Sequence, residues 1–407
     1  MNRDLLSRRL RQLGHTVELA ANGRQALEKI AAGEFDLVLL DIMMPEVDGY
    51  KVLETLRGNG ALDRLPVIMI SAVTEIDSVV RCVEMGATDY LPKPFNPVLL
   101  KARVGATLEK KRLRDKERLW AKSMERELDI GREIQASFLP EGLPQPSGWE
   151  IAARFFPARQ VAGDFYDAFM LAGGTRIGLV VADVCDKGVG AALFMALFRS
   201  LLRAGAERAF DSSVIPSSDG TSSVIPSSDG TSSVIPSSER ARDPGAARLL
   251  STVVSTNDYI ARTHGNANMF ATVFFAVLDP ADGSFSWINA GHEAPIVCGA
   301  SGVTARLAPS GPALGMMPGM KFEVRESRLD PGQTLLAFTD GVTEAKDASG
   351  RLYSEERLLG LVAEGAPTAV ALLDRIEQAV STHSTGAERF DDITMLAVRR
   401  AGVSTGG

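Results

Sequence analysis

Cysteine is scarce in this 407-residue chain: Cys82, Cys185 and Cys298 stand far apart. An odd, dispersed set argues against a disulfide framework and for the cytosol. There are four histidines, and no cluster of Cys or His with the spacing of zinc ligands. No uninterrupted apolar run reaches membrane-spanning length, and the opening MNRDLLSRRLRQLGH does not read as a signal peptide, so no membrane association is expected. Positive charge is in deficit, with 44 Lys and Arg against 51 Asp and Glu. The net charge of -7 and pI near 5.4 give no basis for nucleic-acid binding. The remaining composition, 45% hydrophobic and 23% charged, is that of a soluble globular chain long enough for two or three domains.

What the chain does have is carboxylates at the ends of apolar runs. Ile177 to Ala182 has the length and content of a buried strand, and Asp183 ends it. A charge there costs stability unless a cation or hydrogen-bond donors neutralise it. Asp164 follows RFFPARQVAG, and Gly188 and Gly190 precede an apolar helix from Ala191 to Leu202. Downstream, Asp340 ends the strand-like Leu335–Phe338, while Asp391 and Asp392 precede Ile393–Leu396. Oxygen ligands at several strand ends suit Mg²⁺ or Mn²⁺ rather than zinc.

Residues 1 to about 105 alternate helices (Asp4–Leu13, Gly23–Ile30) with strands (Thr16–Leu19, Phe35–Leu40, Pro66–Ile70). This pattern predicts a parallel doubly wound sheet, whose working residues gather at the carboxyl ends of the strands. LLDIMMPEVDGY, Ser71-Ala72 and Lys93-Pro94-Phe95 together resemble the response-regulator receiver domain of two-component signalling. The resemblance implies a flavodoxin-like fold with Asp41 as phospho-acceptor, Ser71 as switch hydroxyl, Lys93 as phosphate partner and a sensor histidine kinase upstream. Receivers open with a strand and an acidic pair that holds Mg²⁺, whereas this sequence starts at the first helix. The expectation is therefore a receiver with its first strand missing and without those Mg²⁺ ligands.

From Pro97 to Phe138 dense mixed charge is interleaved with Leu108, Leu113, Trp120, Met124, Leu128, Ile134 and Phe138. This reads as a long helix, either a solvated linker or a coiled-coil seam of a homodimer; Glu127 and Gly131 interrupt the heptad. The segment SSVIPSSDGT occurs twice and is followed by SSVIPSSER. Its Ser, Pro, Gly and Asp content predicts a disordered surface insertion at about 211–243. Beyond it the chain predicts a helix (Ala246–Thr263), a meander (Phe270–Leu278, Gly283–Asn289, Pro295–Val297) and strands at Lys321–Glu326, Thr334–Phe338 and Thr394–Val398. Helices Ser354–Ala363 and Ala369–Thr382 flank these strands.

GDFYD, DVCDKGVGAAL, MFATVFFAVLD, NAGHEAP, FTDGVTEA and FDDITML occur in this order across roughly Arg132 to Arg400. They resemble the bacterial PPM-type metal-dependent serine/threonine phosphatases of the SpoIIE and RsbU kind. The implied fold is α+β, two antiparallel sheets flanked by helices. The expected organisation is a receiver at 1–104, a helical linker at 105–140 and a phosphatase domain at 141–400. The resemblance also implies that Asp164 and Asp183 bind metal, Asp183 bridging two ions and Val184 adding its backbone carbonyl. Asp340 and Asp391 complete the other shell, and Asp392 orients Asp391 or a bound water. Two Mn²⁺ or Mg²⁺ ions would activate a water against a phosphate monoester without a phosphoenzyme. Asp167, His292 and Cys185 read as structural, Asp186 as a loop acid and Lys187 as solvent-facing.

The implied substrate is phosphoserine or phosphothreonine on an anti-sigma-factor antagonist in partner-switching control of transcription. The alternative is a non-catalytic pseudophosphatase that binds a signalling partner. A nucleotide cyclase output is disfavoured by the lack of a GGDEF-like loop.

Overall fold

The computed structural model describes residues 3–71, 76–94, 96–211, 244–387 and 389–402. The chain forms two compact units, Met1–Arg126 and Glu127–Gly407.

The first unit contains α1 (Arg3–Gln12), α2 (Gly23–Ala32), β1 (Val38–Asp41), α3 (Gly49–Gly58), β2 (Val67–Ser71), α4 (Ile76–Glu84), β3 (Asp89–Pro92) and the start of α5 (Pro97–Phe138). The strands form a parallel sheet in the order β1-β2-β3. Helix starts follow capping chemistry: the Asn22 carboxamide accepts from Gln25 N–H at 2.9 Å, and Asp48 accepts from Lys51 N–H at 2.8 Å. β2 is buried throughout, and its alternate side chains serve two cores. Val67 and Met69 pack with Val52, Leu53 and Leu56 of α3, while Ile68 and Ile70 pack with α1 and α5. Helices on both faces of a parallel sheet make the doubly wound arrangement. The expected strand Thr16–Leu19 is not formed. Among the described residues β1 pairs only with β2, so this extended stretch has no ladder partner there.

α5 runs unbroken over 42 residues, across the boundary between the units. Leu113, Leu119, Trp120, Met124, Ile130 and Ile134 along it are exposed.

The second unit continues with β4 (Trp149–Phe156), β5 (Phe165–Leu171), β6 (Arg176–Val184), α6 (Val189–Asp211), α7 (Pro244–His264), β7 (Ala271–Leu278) and β8 (Ser284–Ala290). It ends with β9 (Ile296–Gly299), β10 (Gly302–Arg306), β11 (Arg325–Arg328), β12 (Thr334–Phe338), α8 (Glu355–Ala363), α9 (Ala369–His383) and β13 (Ile393–Arg400). Two five-stranded antiparallel sheets result, ordered β10-β9-β12-β13-β4 and β11-β8-β7-β6-β5. Their facing surfaces share one core that includes Ile151, Leu179, Phe274, Trp287, Leu335 and Leu396. α6 and α7 cover the outside of the β5–β8 sheet, and α8 and α9 cover the other.

α6 has the length and hydropathy of a membrane span. Its buried residues Ala191, Met195, Phe198, Leu202 and Ala206 recur at helical spacing and pack into the core, so it is a core helix. It extends well past the expected Leu202. The strand expected at Lys321–Glu326 forms four residues later, as β11. The short, mostly exposed β10 was not anticipated. Apart from Asp211, the last residue of α6, the repeat insertion lies outside the described residues.

Candidate active site at the ends of two sheets

In the first unit, the expected trio gathers at the carboxyl ends of the three strands. Asp41 ends β1, and its Oδ2 accepts from Lys93 Nζ at 2.5 Å. Ser71 ends β2 at 1% exposure, and its carbonyl accepts from Lys93 N–H at 2.7 Å.

In the second unit, antiparallel pairing brings the acids to the same end of each sheet. Asp164 immediately precedes β5, and Asp183 and Val184 end β6, with Phe165 opposite Ala182. Asp340 follows β12, and Asp391 and Asp392 precede β13, with Phe338 opposite Met395. Hydrogen bonds then join the sheets. Thr339 and Thr394 hydroxyls donate to Asp164 Oδ2 at 2.7 and 2.8 Å. Asp392 takes Ala158 N–H on Oδ1 at 2.7 Å and Gly163 N–H on Oδ2 at 2.9 Å. Backbones approach so closely that a Cβ on Gly341 would overlap the Asp392 carbonyl, and one on Gly163 would lie 2.8 Å from the Val184 carbonyl. Behind Gly163, the buried Gln135 of α5 grips Ala162 twice. Its Oε1 accepts from Ala162 N–H at 2.9 Å, and its Nε2 donates to Ala162 O at 2.6 Å.

The electrostatics show the acids acting on one another. Burial, then Asp183 and Asp392, push the Asp164 carboxyl well above the usual carboxylate range. Burial, then Asp340, raise Asp183 to about 7, against a hydrogen bond from Asp164 that lowers it. Asp340 rises to about 6 through burial, Asp391 and Glu344. Asp392 is raised by burial despite its backbone donors. Buried like charges with few cations nearby are a donor set for hard divalent ions, and in that chemical sense the residues fit such a pair. The side chains do not converge on one point: among the described residues, no group of three or more His, Cys, Asp or Glu is placed to hold a metal ion. Asp164 and Asp392 turn to protein donors, and Asp391 Oδ2 lies 2.8 Å from Lys187 Nζ.

The other residues singled out in the sequence stand near this centre. Lys187 does not face solvent freely; its Nζ also donates to Phe390 O at 2.7 Å. Asp186 is exposed in a left-handed turn at φ 72°, a conformation that favours glycine. Asp167 is 1% exposed and pairs with Arg199 at 2.8 Å and Arg203 at 3.3 Å, which ties β5 to α6. His292 is buried, with Nδ1 2.9 Å from the Thr272 hydroxyl, and desolvation lowers its pKa to about 3. Burial raises the Cys185 thiol, whose sulfur accepts from Phe270 N–H at 3.1 Å. Thr339, Thr394 and Gln135 carried no sequence signal of their own as positioning groups. Only their adjacency to the acidic motifs, or to the helix leading into them, pointed that way.

Two helix-flanked antiparallel sheets with mutually coupled acids at one end, downstream of a doubly wound parallel sheet, define a receiver joined to a PPM-type metal-dependent protein phosphatase domain. The sequence matches the family model of Stage II sporulation protein E (SpoIIE) over residues 173–401 and that of the response regulator receiver domain over residues 1–105. The chain belongs to the SpoIIE family and carries a receiver domain. It is 42% identical to Protein IcfG of Synechocystis sp. over 274 residues, 67% of this chain and 41% of that protein. It is 44% identical to Response regulator MprA of Mycobacterium ulcerans over 115 residues, 28% of this chain and 49% of that one. The chain thus spans less than half the length of either relative. The structure of the RsbU and RsbW domains of Rv1364c from Mycobacterium tuberculosis aligns with a TM-score of 0.45 at 25% identity, covering 63% of this chain and 62% of that one.

Proposed function

We propose that the chain is a receiver-regulated protein serine/threonine phosphatase that removes phosphate from phosphoserine or phosphothreonine on an anti-sigma-factor antagonist. A sensor histidine kinase acts upstream in the cytoplasm. The receiver would span 1–104, the linker 105–140 and the phosphatase domain 141–400. Asp41 would take the phosphoryl group, with Ser71 and Lys93 reading it. The exposed apolar residues of α5 support a homodimer through the linker.

The observation that carries the reading is that Asp164, Asp183, Asp340, Asp391 and Asp392 stand at four neighbouring strand ends, with four of the five held above their ordinary pKa by burial and by one another. Asp164, Asp183, the Val184 carbonyl, Asp340 and Asp391 would hold two Mn²⁺ or Mg²⁺ ions, which supply water activation and neutralise phosphoryl oxygens when bound. The chain's own residues prepare this. Thr339 and Thr394 fix one oxygen of Asp164, and Asp392 holds the 158–163 turn that delivers it.

The test is Mn²⁺-dependent hydrolysis of p-nitrophenyl phosphate by the full chain beside Asp183→Asn. A loss of roughly 10³-fold is expected, from several kcal/mol of lost electrostatic stabilisation. Activity that needs no metal, or survives the substitution, refutes the assignment. One observation favours the pseudophosphatase reading: Asp391, an expected metal ligand, is paired with Lys187. Calorimetric titration separates the two, since a pseudophosphatase takes up no pair of divalent ions.

A further inference from the structure

Beside the acidic centre lies a cavity of about 350 Å³, lined by residues of the segments 341–346, 377–385 and 389–395 together with Phe156 and Ala387. It shares Gly341 and Asp391 with the centre, so the two adjoin. Its floor is apolar, with Phe156, Val380, Ile393 and Met395. Its rim carries Lys346 and Arg389.

Neither Lys346 nor Arg389 is paired with a carboxylate among the described residues; each lies instead on an aromatic face. Lys346 Nζ is 4.2 Å from the centroid of the Phe390 ring, and the Arg389 guanidinium is 5.3 Å from that of Phe156. Lys187 covers Phe390 as well, at 4.1 Å, so an exposed ring (59%) is flanked by two ammonium groups. Two like charges about one ring repel each other, and an arriving anion relieves that repulsion. Of the acids on the same rim, Glu377 pairs with Arg154 at 3.5 Å, whereas the charge of Glu344 raises the neighbouring Asp340.

We propose that this cavity is a docking subsite for acidic residues flanking the phosphorylated residue of a protein substrate. Lys346 and Arg389 bind the flanking carboxylates, and Phe390 packs against the peptide. The proposal rests on the phosphatase reading above and names the sequence preference of that site. Lys346 is one ring away from Lys187 and Asp391, a reach of about two or three residues of extended peptide at roughly 3.3 Å each. Charge at that distance selects partners and speeds encounter, and it weakens with salt.

The test is fluorescence anisotropy with two labelled peptides, each carrying a non-hydrolysable phosphonate analogue of phosphoserine, and the full chain in Mn²⁺, so that no turnover intervenes. One peptide carries Asp at the second and third positions on both sides of the analogue; the other carries Ala there. The wild type is expected to prefer the acidic peptide by about ten-fold, the size of two charge-assisted contacts at a half-exposed site. The Lys346→Glu/Arg389→Glu double variant is expected to lose that preference, with an unfolding midpoint equal to the wild type's. Equal affinity of the wild type for both peptides, no binding of either, or a preference that survives in the double variant overturns the proposal. Hydrolysis of p-nitrophenyl phosphate by the wild type in Mn²⁺ reports separately on the phosphatase reading.

Discussion

Replacing Asp167 by Ala tests whether the clamp between β5 and α6 stabilises the fold or only satisfies its partners. Asp167 is 1% exposed, and Arg199, 2.8 Å away, is 11% exposed. The geometry looks favourable, yet burial outweighs both arginines and leaves the carboxyl above its ordinary pKa. Arg199 Nε also has no hydrogen-bond partner among the described residues. A pair of this kind is expensive to break and cheap to replace. Asp167→Ala strands a buried guanidinium and is expected to cost about 3–5 kcal/mol. In a unit of this size that lowers Tm by roughly 10 °C. The double variant Asp167→Leu/Arg199→Met removes both charges at similar volume and should recover most of the loss. Arg203, 36% exposed at the side chain, can turn to water in either variant. Urea and thermal unfolding of the full chain, followed at the transition of the second unit, read both values. A single variant costing under about 1 kcal/mol, or a double variant no better than the single, refutes the reasoning.

Two further outcomes follow from the acidic centre. Asp183 at about 7 and Asp340 at about 6 hold their protons more tightly folded than unfolded. Their contribution is complete below the ordinary carboxylate range and is lost as pH rises through 6 to 7. In EDTA, Tm of the second unit should therefore fall between about pH 5 and 8, and Mn²⁺ should reverse the fall; a flat profile in EDTA contradicts the coupling. Lys187→Met removes the ammonium from Asp391, a pair about one quarter exposed on each side. Mn²⁺ affinity by calorimetry should then tighten a few-fold, the size of a partly exposed ion pair worth up to about 1 kcal/mol. Unchanged or weaker binding would show that Lys187 does not compete for that carboxylate.

Of the strands that bear the acids, β6 and β12 were legible because each is a five- to nine-residue apolar run with Asp at or just beyond its end, a pattern that burial on both faces demands. The receiver trio was legible for the same reason, at the ends of β1 and β2 and just after β3. What pairing decides was not. Thr16–Leu19 has strand composition but no neighbour to bond. β11 begins at Arg325 because Arg325–Arg328 pair with Ser284–Trp287, and nothing in the polar run RESR announces that register. β10 is a largely exposed edge strand without alternation. Lys187 read as solvent-facing because its partners Phe390 and Asp391 lie two hundred residues along the chain.

The grip of Gln135 on Ala162 is a two-point contact to a single peptide residue, the bond pattern a neighbouring strand would make. α5 is thereby spliced by one side chain into the backbone network that ends at Asp164. Paired bonds of this length tolerate displacements of a fraction of an ångström, whereas a helix slipping by one residue moves about 1.5 Å. Slippage of α5 would break both bonds together rather than stretch them. The turn before Asp164 is thereby tied to the register of α5 through two short hydrogen bonds.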